Sequence, residues 1–288
     1  MSSDSIALIV LTLGAAIVNG ALGYGFSSIT VPVALLFLTN RVLNPALVLI
    51  EVALNGWVLW VNRAALAGIW RRVAPIVVGL VPGVVVGTMI VSTVSPNWLK
   101  FNTYVVLLPL ILVQAAGWRR PIKAERAAGL VFGSGVGVLY AVTTISGPPL
   151  AIALNNQGVA KQDFRAALGF VRLAESSLTA VAYYHAGLFT AQSINLIPLI
   201  LPSIFVGVPI GAWLIRHVRA ESFRRVCMSF DAWVVAFGVS TLLQQLGLVT
   251  GPKAFLVLAS VIVLDAWLMY RFFTQLAAQD LKAQGSTH

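Results

Sequence analysis

The sequence predicts an all-α polytopic membrane protein, built from two inverted repeats and one extra helix at the C-terminal end. The first observation is composition: 59% of the 288 residues are hydrophobic, only 10% are charged, and the mean hydropathy is +0.91. The second is that basic residues collect in alternate connections between apolar runs. The third is a segment near the start, interrupted by glycine and proline, that returns in the second half. A chain this apolar cannot form a water-soluble surface. Repeated apolar segments that glycine and proline interrupt are typical of secondary transporters.

Nine apolar runs account for most of the chain. They cover residues 6–39, 45–62, 73–92, 98–117, 127–157, 164–186, 191–215, 222–246 and 252–273. The connections are too short for a soluble domain, so residues 1–288 are expected to form a single transmembrane domain. No basic residue precedes Arg41, so the basic region of a cleaved signal peptide is missing. We therefore expect the first run to stay in the mature protein.

The formal net charge of +10 is interpreted as a topology signal rather than as a nucleic-acid interface. Fifteen of the 19 basic residues fall in connections that the positive-inside rule assigns to the cytoplasm. They are Arg63, Arg71, Arg72, Arg119, Arg120, Lys123, Arg126, Lys161, Arg165, Arg216, Arg219, Arg224, Arg225, Arg271 and Lys282. Arg41, Lys100 and Lys253 fall in the other connections, and Arg172 is the one basic residue expected within the membrane. The N-terminus is then outside and the C-terminus is cytoplasmic.

Two of the runs are expected to enter the membrane and turn back. The 31 residues of 127–157 would form a helix of about 46 Å, against an apolar core of about 30 Å. Both flanking connections of this run are assigned to the cytoplasm, so it must be a hairpin. By the repeat, residues 6–39 form the same hairpin from the outside. Each half then has a re-entrant or broken-helix hairpin followed by three transmembrane helices, and the helix at 252–273 has no counterpart in the first half.

The internal repeat sets the boundaries of the halves, at 6–117 and 127–247. At an offset of 117 residues, the segment 19–32 aligns with 136–149, which pairs Gly20 with Gly137 and Pro32 with Pro149. Further along, at an offset of 124, Glu51 aligns with Glu175 and the pair Gly83 and Gly87 with Gly207 and Gly211. Small residues at four-residue spacing also predict close helix packing. They form three rows, Gly79, Gly83 and Gly87, then Gly129, Gly133 and Gly137, then Ser203, Gly207 and Gly211.

The hairpin turns are the predicted anion site. Glycine and proline break both helices there, and broken backbone at membrane depth is tolerated only around a cavity or within protein. Ser146 stands where it could cap a helix that begins with Pro148 and Pro149, and Thr30 and Pro32 look similar in the first copy. Two helix N-termini would offer N–H groups, partial positive charge and hydroxyls to an oxyanion. The candidate substrate-binding residues are Gly23, Tyr24, Gly25, Ser27, Ser28, Thr30, Thr143, Thr144, Ser146, Gly147, Pro148 and Arg172. The alternative is a pair of kinked structural helices whose hydroxyls bond their own backbone.

Five charged residues lie within apolar runs, where charge is costly enough to suggest a role. They are Glu51, Arg172, Glu175, Asp231 and Asp265. The simplest interpretation of Arg172 is an ion pair with Glu175, three residues away on the same helix, and the alternative makes it an anion ligand. Glu51, Glu175 and Asp231 are candidate proton-coupling groups, and Glu51 is preferred because no basic residue lies within one helical turn of it. For Asp231 and Asp265 a structural hydrogen bond is the leading interpretation.

These motifs resemble those of the sulfite exporter TauE/SafE family of membrane permeases over nearly the whole chain. The resemblance rests on the glycine-rich first hairpin, its counterpart in the second half and the Gly-x-x-x-Gly pair of each half. The residues are Gly20, Gly23, Gly25 and Pro32, then Gly137, Ser146, Gly147, Pro148, Pro149 and Asn155. Tyr24 and Phe26 flank Gly25 where the family would have a denser glycine run. The resemblance implies transport of sulfite, thiosulfate or organosulfonates such as sulfoacetate.

The leading hypothesis is therefore a secondary carrier, in a bacterial inner membrane, that exports a small sulfur-containing anion by alternating access. A carrier for another small anion and an anion channel are the alternatives. An intramembrane enzyme is disfavoured, because Cys227 and the three histidines form no recognisable nucleophile–base pair or metal motif. No P-loop sequence for nucleotide-driven pumping occurs. The expected partners are the anion and membrane lipid, without cofactor, metal or nucleic acid, and a homodimer is left open.

Overall fold

A computed structural model describes residues 3–23, 25–116, 125–156 and 161–285, and within these ranges it contains helices and no strand. The α-helices are α1 (Ser3–Leu22), α2 (Phe26–Ala34), α3 (Asn40–Val61), α4 (Arg63–Thr93), α5 (Pro96–Ala115), α6 (Glu125–Thr143), α7 (Gly147–Asn156), α8 (Lys161–His185), α9 (Ala191–Leu214), α10 (Ala220–Gln245) and α11 (Leu256–Gly285). A 3₁₀ turn at Gly251–Phe255 precedes α11. The predicted all-α class is confirmed.

Seven helices in the described ranges are long and apolar enough to cross a membrane, namely α1, α3, α4, α5, α9, α10 and α11. The prediction of a polytopic membrane protein is confirmed by these seven. Helix α8 has 25 residues but is less apolar, because Arg172 and Glu175 lie in its middle and further charges lie in its first turns. The polar centre of α8 is therefore an exception within an otherwise apolar bundle.

Two groups of basic residues lie inside helices rather than in the connections where we expected them. Helix α4 begins at Arg63, only one residue after α3, so Arg71 and Arg72 belong to its first turns. The expected connection at 63–72 is rich in alanine and arginine, which both favour helix. Arg225 lies in the second turn of α10 and is only 2% exposed. It adds a second buried arginine to Arg172.

Each hairpin consists of a long leg, a short break and a short helix. The first break separates Leu22 from Phe26, and the second separates Thr143 from Gly147. The corresponding helix ends of the two hairpins are 121 residues apart in the chain, whereas the alignment of the repeat used an offset of 117 residues. The difference of four residues is about one helical turn. The alignment by residue type, which pairs Gly20 with Gly137 and Pro32 with Pro149, therefore selected a different turn from the one at which the helices break.

Each break begins at a residue whose backbone lies in the left-handed region. Gly23 has φ 80° and Thr144 has φ 56°. A β-branched residue rarely adopts this conformation, so the surrounding structure must hold Thr144 there. The predicted helix start at Thr30 and Pro32 is wrong, because α2 begins at Phe26 and Pro32 lies within it.

The long leg of each hairpin packs against a helix of the other half, α1 on α9 and α6 on α4. Glycines allow this contact as predicted: a Cβ added to Gly83 would lie 2.1 Å from the carbonyl oxygen of Ser134. One added to Gly211 would lie 1.9 Å from the carbonyl oxygen of Ile17. Helices α3 and α8 pack against each other, as do α5 and α10, and α11 packs chiefly on α10.

A buried ion pair attaches α11 to the bundle. Nη2 of Arg225 lies 2.7 Å from Oδ1 of Asp265, and Nη1 donates to the hydroxyl of Ser229 at 3.0 Å. Both charged side chains are almost fully buried. Asp265 therefore has the structural contact that we favoured for it, although its partner is a charged arginine.

Candidate functional site

Three charged side chains meet where α3 packs on α8. Glu51 comes from α3, Arg172 and Glu175 come from α8, and all three are at most 3% exposed. The short helices of the two hairpins begin beside these residues, because Ser27 in α2 and Ser146 just before α7 both contact the glutamates. We call Ser27, Glu51, Tyr140, Ser146, Arg172 and Glu175 the central cluster.

Glu51 accepts hydrogen bonds from three different elements. Nη2 of Arg172 donates to Oε1 at 2.9 Å, and the Ser27 hydroxyl donates to the same oxygen. The hydroxyl of Tyr140, from α6, donates to Oε2 at 2.7 Å. Three donors, one of them charged, compensate a buried carboxylate well. Glu51 thus connects α2 and α3 in the first half with α6 and α8 in the second.

The expected ion pair between Arg172 and Glu175 is wrong. Arg172 extends from α8 to Glu51 on α3, so it bridges two helices rather than two turns of one. The three-residue spacing makes a contact sterically available, but it cannot show which carboxylate of a neighbouring helix is closer. The preference for Glu51 as proton carrier assumed that no cation lies near it, and that assumption fails as well.

Glu175 has far fewer partners than Glu51. The Ser146 hydroxyl donates to its Oε1, while its Oε2 has no hydrogen-bond partner among the described residues. Nε of Arg172 is also without an acceptor in the described part of the chain. Buried polar atoms without partners cost about 1–3 kcal/mol each and are uncommon in native proteins. The central cluster therefore holds one free donor and one free acceptor that a ligand or a proton could satisfy.

Ser146 does not cap α7 as we expected. A capping hydroxyl accepts from the N–H of the second or third helical residue, but here those residues are Pro148 and Pro149, which have no N–H. The hydroxyl is free to donate to Glu175 instead. At α2 the N–H groups of the first turn have no helix carbonyl to bond, because the first such bond is from Ile29 to Gly25. The start of α2 is consequently the richer source of N–H donors.

The two threonines of the second break behave as the structural alternative predicts. The hydroxyl of Thr143 donates to the carbonyl of Leu139 at 2.7 Å, and that of Thr144 donates to the carbonyl of Thr143 at 2.7 Å. The Thr30 hydroxyl is buried and has no partner among the described residues. Of the candidate hydroxyls, Ser27 and Ser146 therefore lie in the central cluster, and Ser28 and the three threonines lie outside it.

Asp231 lies apart from the central cluster, beside a small cavity at the start of α2. Gly25 and Ser28 line this cavity from the first hairpin, and Arg224 and Cys227 line it from α10. Oδ1 of Asp231 has no partner among the described residues, so the structural hydrogen bond expected for this oxygen is absent. Within the described ranges, no group of three or more His, Cys, Asp or Glu side chains could hold a metal ion.

The remaining candidates are distributed around the breaks. Gly23 lines a separate cavity, and Gly147 is buried at the start of α7. Tyr24 and the side chain of Pro148 lie outside the described residues. Sequence analysis did not predict Tyr140 as a site residue, because tyrosine in an apolar run usually lies at a helix end or serves packing. The signal that could have found it is its position, three residues before the end of α6 at Thr143.

Comparison with known proteins agrees with the motif resemblance. The family model described as sulfite exporter TauE/SafE matches residues 8–237, which include both hairpins and the whole central cluster. The probable inner membrane transporter protein TsaS of Comamonas testosteroni is 27% identical over 179 residues, covering 59% of this chain and 71% of that protein. No solved structure matches this chain.

Proposed function

The chain belongs to the sulfite exporter TauE/SafE family, and from that premise we propose that it exports a small sulfur-containing anion, such as sulfite or an organosulfonate, by alternating access. The name of the relative, an inner membrane transporter, supports placement in the bacterial inner membrane. The observation that carries the proposal is the central cluster, where the starts of both short helices contact buried glutamates beside Arg172, whose Nε has no partner among the described residues.

The donors of the central cluster suit an oxyanion. Arg172 offers the free Nε, and its planar guanidinium favours ligands with several oxygens. The hydroxyls of Ser27 and Ser146 are hydrogen-bond donors that now bind carboxylates. A sulfite or sulfonate group presents oxygens that can replace those carboxylate oxygens one for one. We therefore assign Arg172, Ser27 and Ser146 to substrate binding.

Glu175 is the better proton carrier of the two glutamates. Protonation of Glu51 would weaken an ion pair and two further hydrogen bonds, whereas Glu175 accepts from Ser146 alone among the described residues. A proton on Glu175 removes a negative charge beside the incoming anion and releases the Ser146 hydroxyl. A dianion that leaves with one proton still carries net negative charge outward, so an inside-negative membrane potential favours export.

The packing of the hairpins supports alternating access between inverted halves. Each long leg packs on a helix of the opposite half through glycine contacts, so a hairpin and that helix can move as one body. Ser27 belongs to one such body and Ser146 to the other, and both donate to glutamates of α3 and α8, so these contacts would have to rearrange.

A carrier or channel for another small anion is the alternative, because the central cluster recognises charge and oxygen rather than sulfur. Saturable counterflow distinguishes a carrier from a channel, and competition between sulfite, sulfoacetate and sulfate defines the anion. The test is flux into proteoliposomes that contain the purified protein. We expect saturable exchange of sulfite or sulfoacetate, and its absence for every sulfur oxyanion would contradict the proposal.

The matched variants for this test are Arg172→Gln and Arg225→Gln. Both remove a buried arginine that pairs with an acidic side chain, but Arg225 pairs with Asp265 of α11 and bonds no residue of the central cluster within the described ranges. Arg172→Gln should abolish saturable flux, while Arg225→Gln should retain it in whatever fraction remains folded. Equal loss per folded molecule in both variants would remove Arg172 from the substrate site.

A further inference from the structure

A cavity of about 220 Å³ lies beside the first hairpin break and includes Gly23 of that break in its lining. The matching helix positions of the second half line a mostly apolar cavity between α4 and α8, which includes no residue of the second break. It lies between the end of α1, the second half of α3 and the first turns of α8, with Gly23, Leu54, Asn62 and Arg165 among its lining residues. Leu54 is three residues from Glu51, so the cavity reaches within one turn of the central cluster. Its volume exceeds that of a small sulfonate.

The side chains in this cavity suit an anion. Arg165 is exposed and makes no hydrogen bond or ion pair with any described residue. Asn19 lines the same cavity, but its buried Oδ1 is an acceptor and offers no donor to an anion. Arg165 is therefore the anion-binding side chain at this opening, a guanidinium without a partner among the described residues.

The corresponding space at the second break is filled by hydrogen bonds. Nδ2 of Asn44 donates to the carbonyl of Val142 at 2.7 Å, and Nδ2 of Asn40 donates to the same carbonyl at 3.3 Å. The Tyr183 hydroxyl donates to the carbonyl of Ala141. The two asparagine bonds attach the end of α6 to the start of α3, and the Tyr183 bond attaches it to α8. Together these bonds close the second break.

Arg41 and Arg165 show the same asymmetry, and each lies ten residues before the glutamate of its half. Arg41 binds the end of α4, since Nε donates to the carbonyl of Val91 at 2.9 Å. Its Nη2 donates to the carbonyls of Ser92 and Val94 at 2.7 and 3.0 Å. Arg165 makes no such contact within the described ranges, although α9 is the counterpart of α4. Arg41 is thus held by hydrogen bonds to the end of α4, whereas Arg165 has no such partner among the described residues.

We infer that the cavity beside Arg165 is the opening through which the anion reaches the central cluster, and that Arg165 is the first residue to contact the anion. Asn40, Arg41 and Asn44 then form the closed gate at the opposite end of the path. The inference rests on the proposed function for the identity of the anion. On this inference the structure represents a state of the carrier that is open on one side, the side where α3 ends. Opening the other side requires Arg41 to release the end of α4.

Cysteine labelling tests this inference without transport. In a Cys227→Ser background, Val58→Cys places a thiol in the cavity lining, and Val142→Cys places one at the second break, where Val142 is buried. A charged, membrane-impermeant maleimide should label Val58→Cys from one face of the membrane and leave Val142→Cys unlabelled. Adding Arg41→Gln should expose Val142→Cys to reagent from the opposite face. Equal labelling of both thiols before that change would overturn the inference.

Protection by an anion tests the role of Arg165. Sulfoacetate, which does not react with maleimide, should slow the labelling of Val58→Cys. In Arg165→Gln about tenfold more sulfoacetate should be needed, because a charged hydrogen-bond donor is lost. The control is Arg63→Gln, at the same end of α3 but outside the cavity lining. Unchanged protection in Arg165→Gln would overturn the assignment. If no sulfur anion is transported in proteoliposomes while Val58→Cys alone is labelled, the proposed function is overturned and the opening stands.

Discussion

The two serines at the hairpin breaks have the same local role in both halves. Ser27 donates to Glu51, Ser146 donates to Glu175, and each glutamate lies on the third helix of the half that supplies its serine. The difference is Arg172, which pairs with Glu51 and leaves Glu175 with a single donor. An approximate symmetry of side chains is thus broken by one cation. That difference is the reason why we propose Glu175, rather than Glu51, as the proton carrier.

Replacement of the two glutamates by glutamine should have different effects. Glu175→Gln should keep anion binding and abolish the pH dependence of flux, because a neutral amide cannot exchange a proton. Glu51→Gln should weaken binding and lower stability, since Arg172 loses its charged partner in a buried site. Both are measured by flux at several pH values and by anion-dependent thermal stabilisation. Wild-type pH dependence in Glu175→Gln would show that this carboxyl is structural.

Ser146→Ala should weaken anion binding by about 1–3 kcal/mol, the usual loss when a hydrogen bond to a charged group is removed. Thr143→Val is the control, because the Thr143 hydroxyl donates to the carbonyl of Leu139 and not to the central cluster. Affinity is measured on purified protein by the shift of melting temperature with sulfite or sulfoacetate. If both variants bind as the wild type does, Ser146 contributes nothing to the site.

The helices that hold the central cluster are positioned by glycine contacts between the halves. Gly133 of α6 faces α4, and a Cβ added there would lie 2.1 Å from the carbonyl oxygen of Ile76. Gly135, on the same helix, has no atom within 4 Å of the corresponding Cβ position. The small-residue rows therefore act through particular backbone contacts, and other glycines of the same helix are free to change.

Gly133→Ala should lower the free energy of unfolding by about 1–3 kcal/mol, because α6 must move away from α4. Gly135→Ala should be neutral or slightly stabilising, since alanine is the better helix former. Thermal melting of the two variants in the same detergent compares them directly. Equal stability of the two would mean that α4 and α6 are not in close contact.

The distribution of charge over the molecule predicts its orientation in the membrane. Fifteen of the 19 basic residues belong to connections assigned to one side, and the ends of the chain are assigned to opposite sides. The glycine contacts of α1 on α9 and of α6 on α4 are what a two-fold exchange of inverted halves would produce. Topology and packing are independent observations that support the same arrangement.

Reporter fusions test this orientation. A reporter that is active only in the cytoplasm should be active when fused after α11 and inactive when fused before α1. The same reporter between α5 and α6 should be active, because that connection carries Arg119, Arg120 and Lys123. Termini on one side of the membrane would exclude inverted halves with a single additional helix.

Composition, charge and the glycine rows were enough to predict a helical membrane protein, and the resemblance of the hairpin motifs indicated its family. The cost of polar groups in apolar runs marked the residues of the candidate site. These properties depend on residue type and local spacing, which the chain displays directly. Glu51, Arg172, Glu175, Ser27 and Ser146 all stood out because polar groups are costly in apolar runs. Nothing in their spacing showed which of them touch, because α3 and α8 are over 100 residues apart in the chain.

Only the tertiary structure decided the partners. It paired Arg172 with Glu51 across two helices, placed Tyr140 on the same carboxylate and left one oxygen of Glu175 without a partner among the described residues. It also moved the hairpin register by one turn, since residue type alone does not show at which turn a helix breaks. Arg41 bonds the end of α4 and Arg165 bonds no described residue, a difference that two matching sequence positions do not reveal. A contact between distant helices depends on how the whole bundle packs, and local sequence does not encode it.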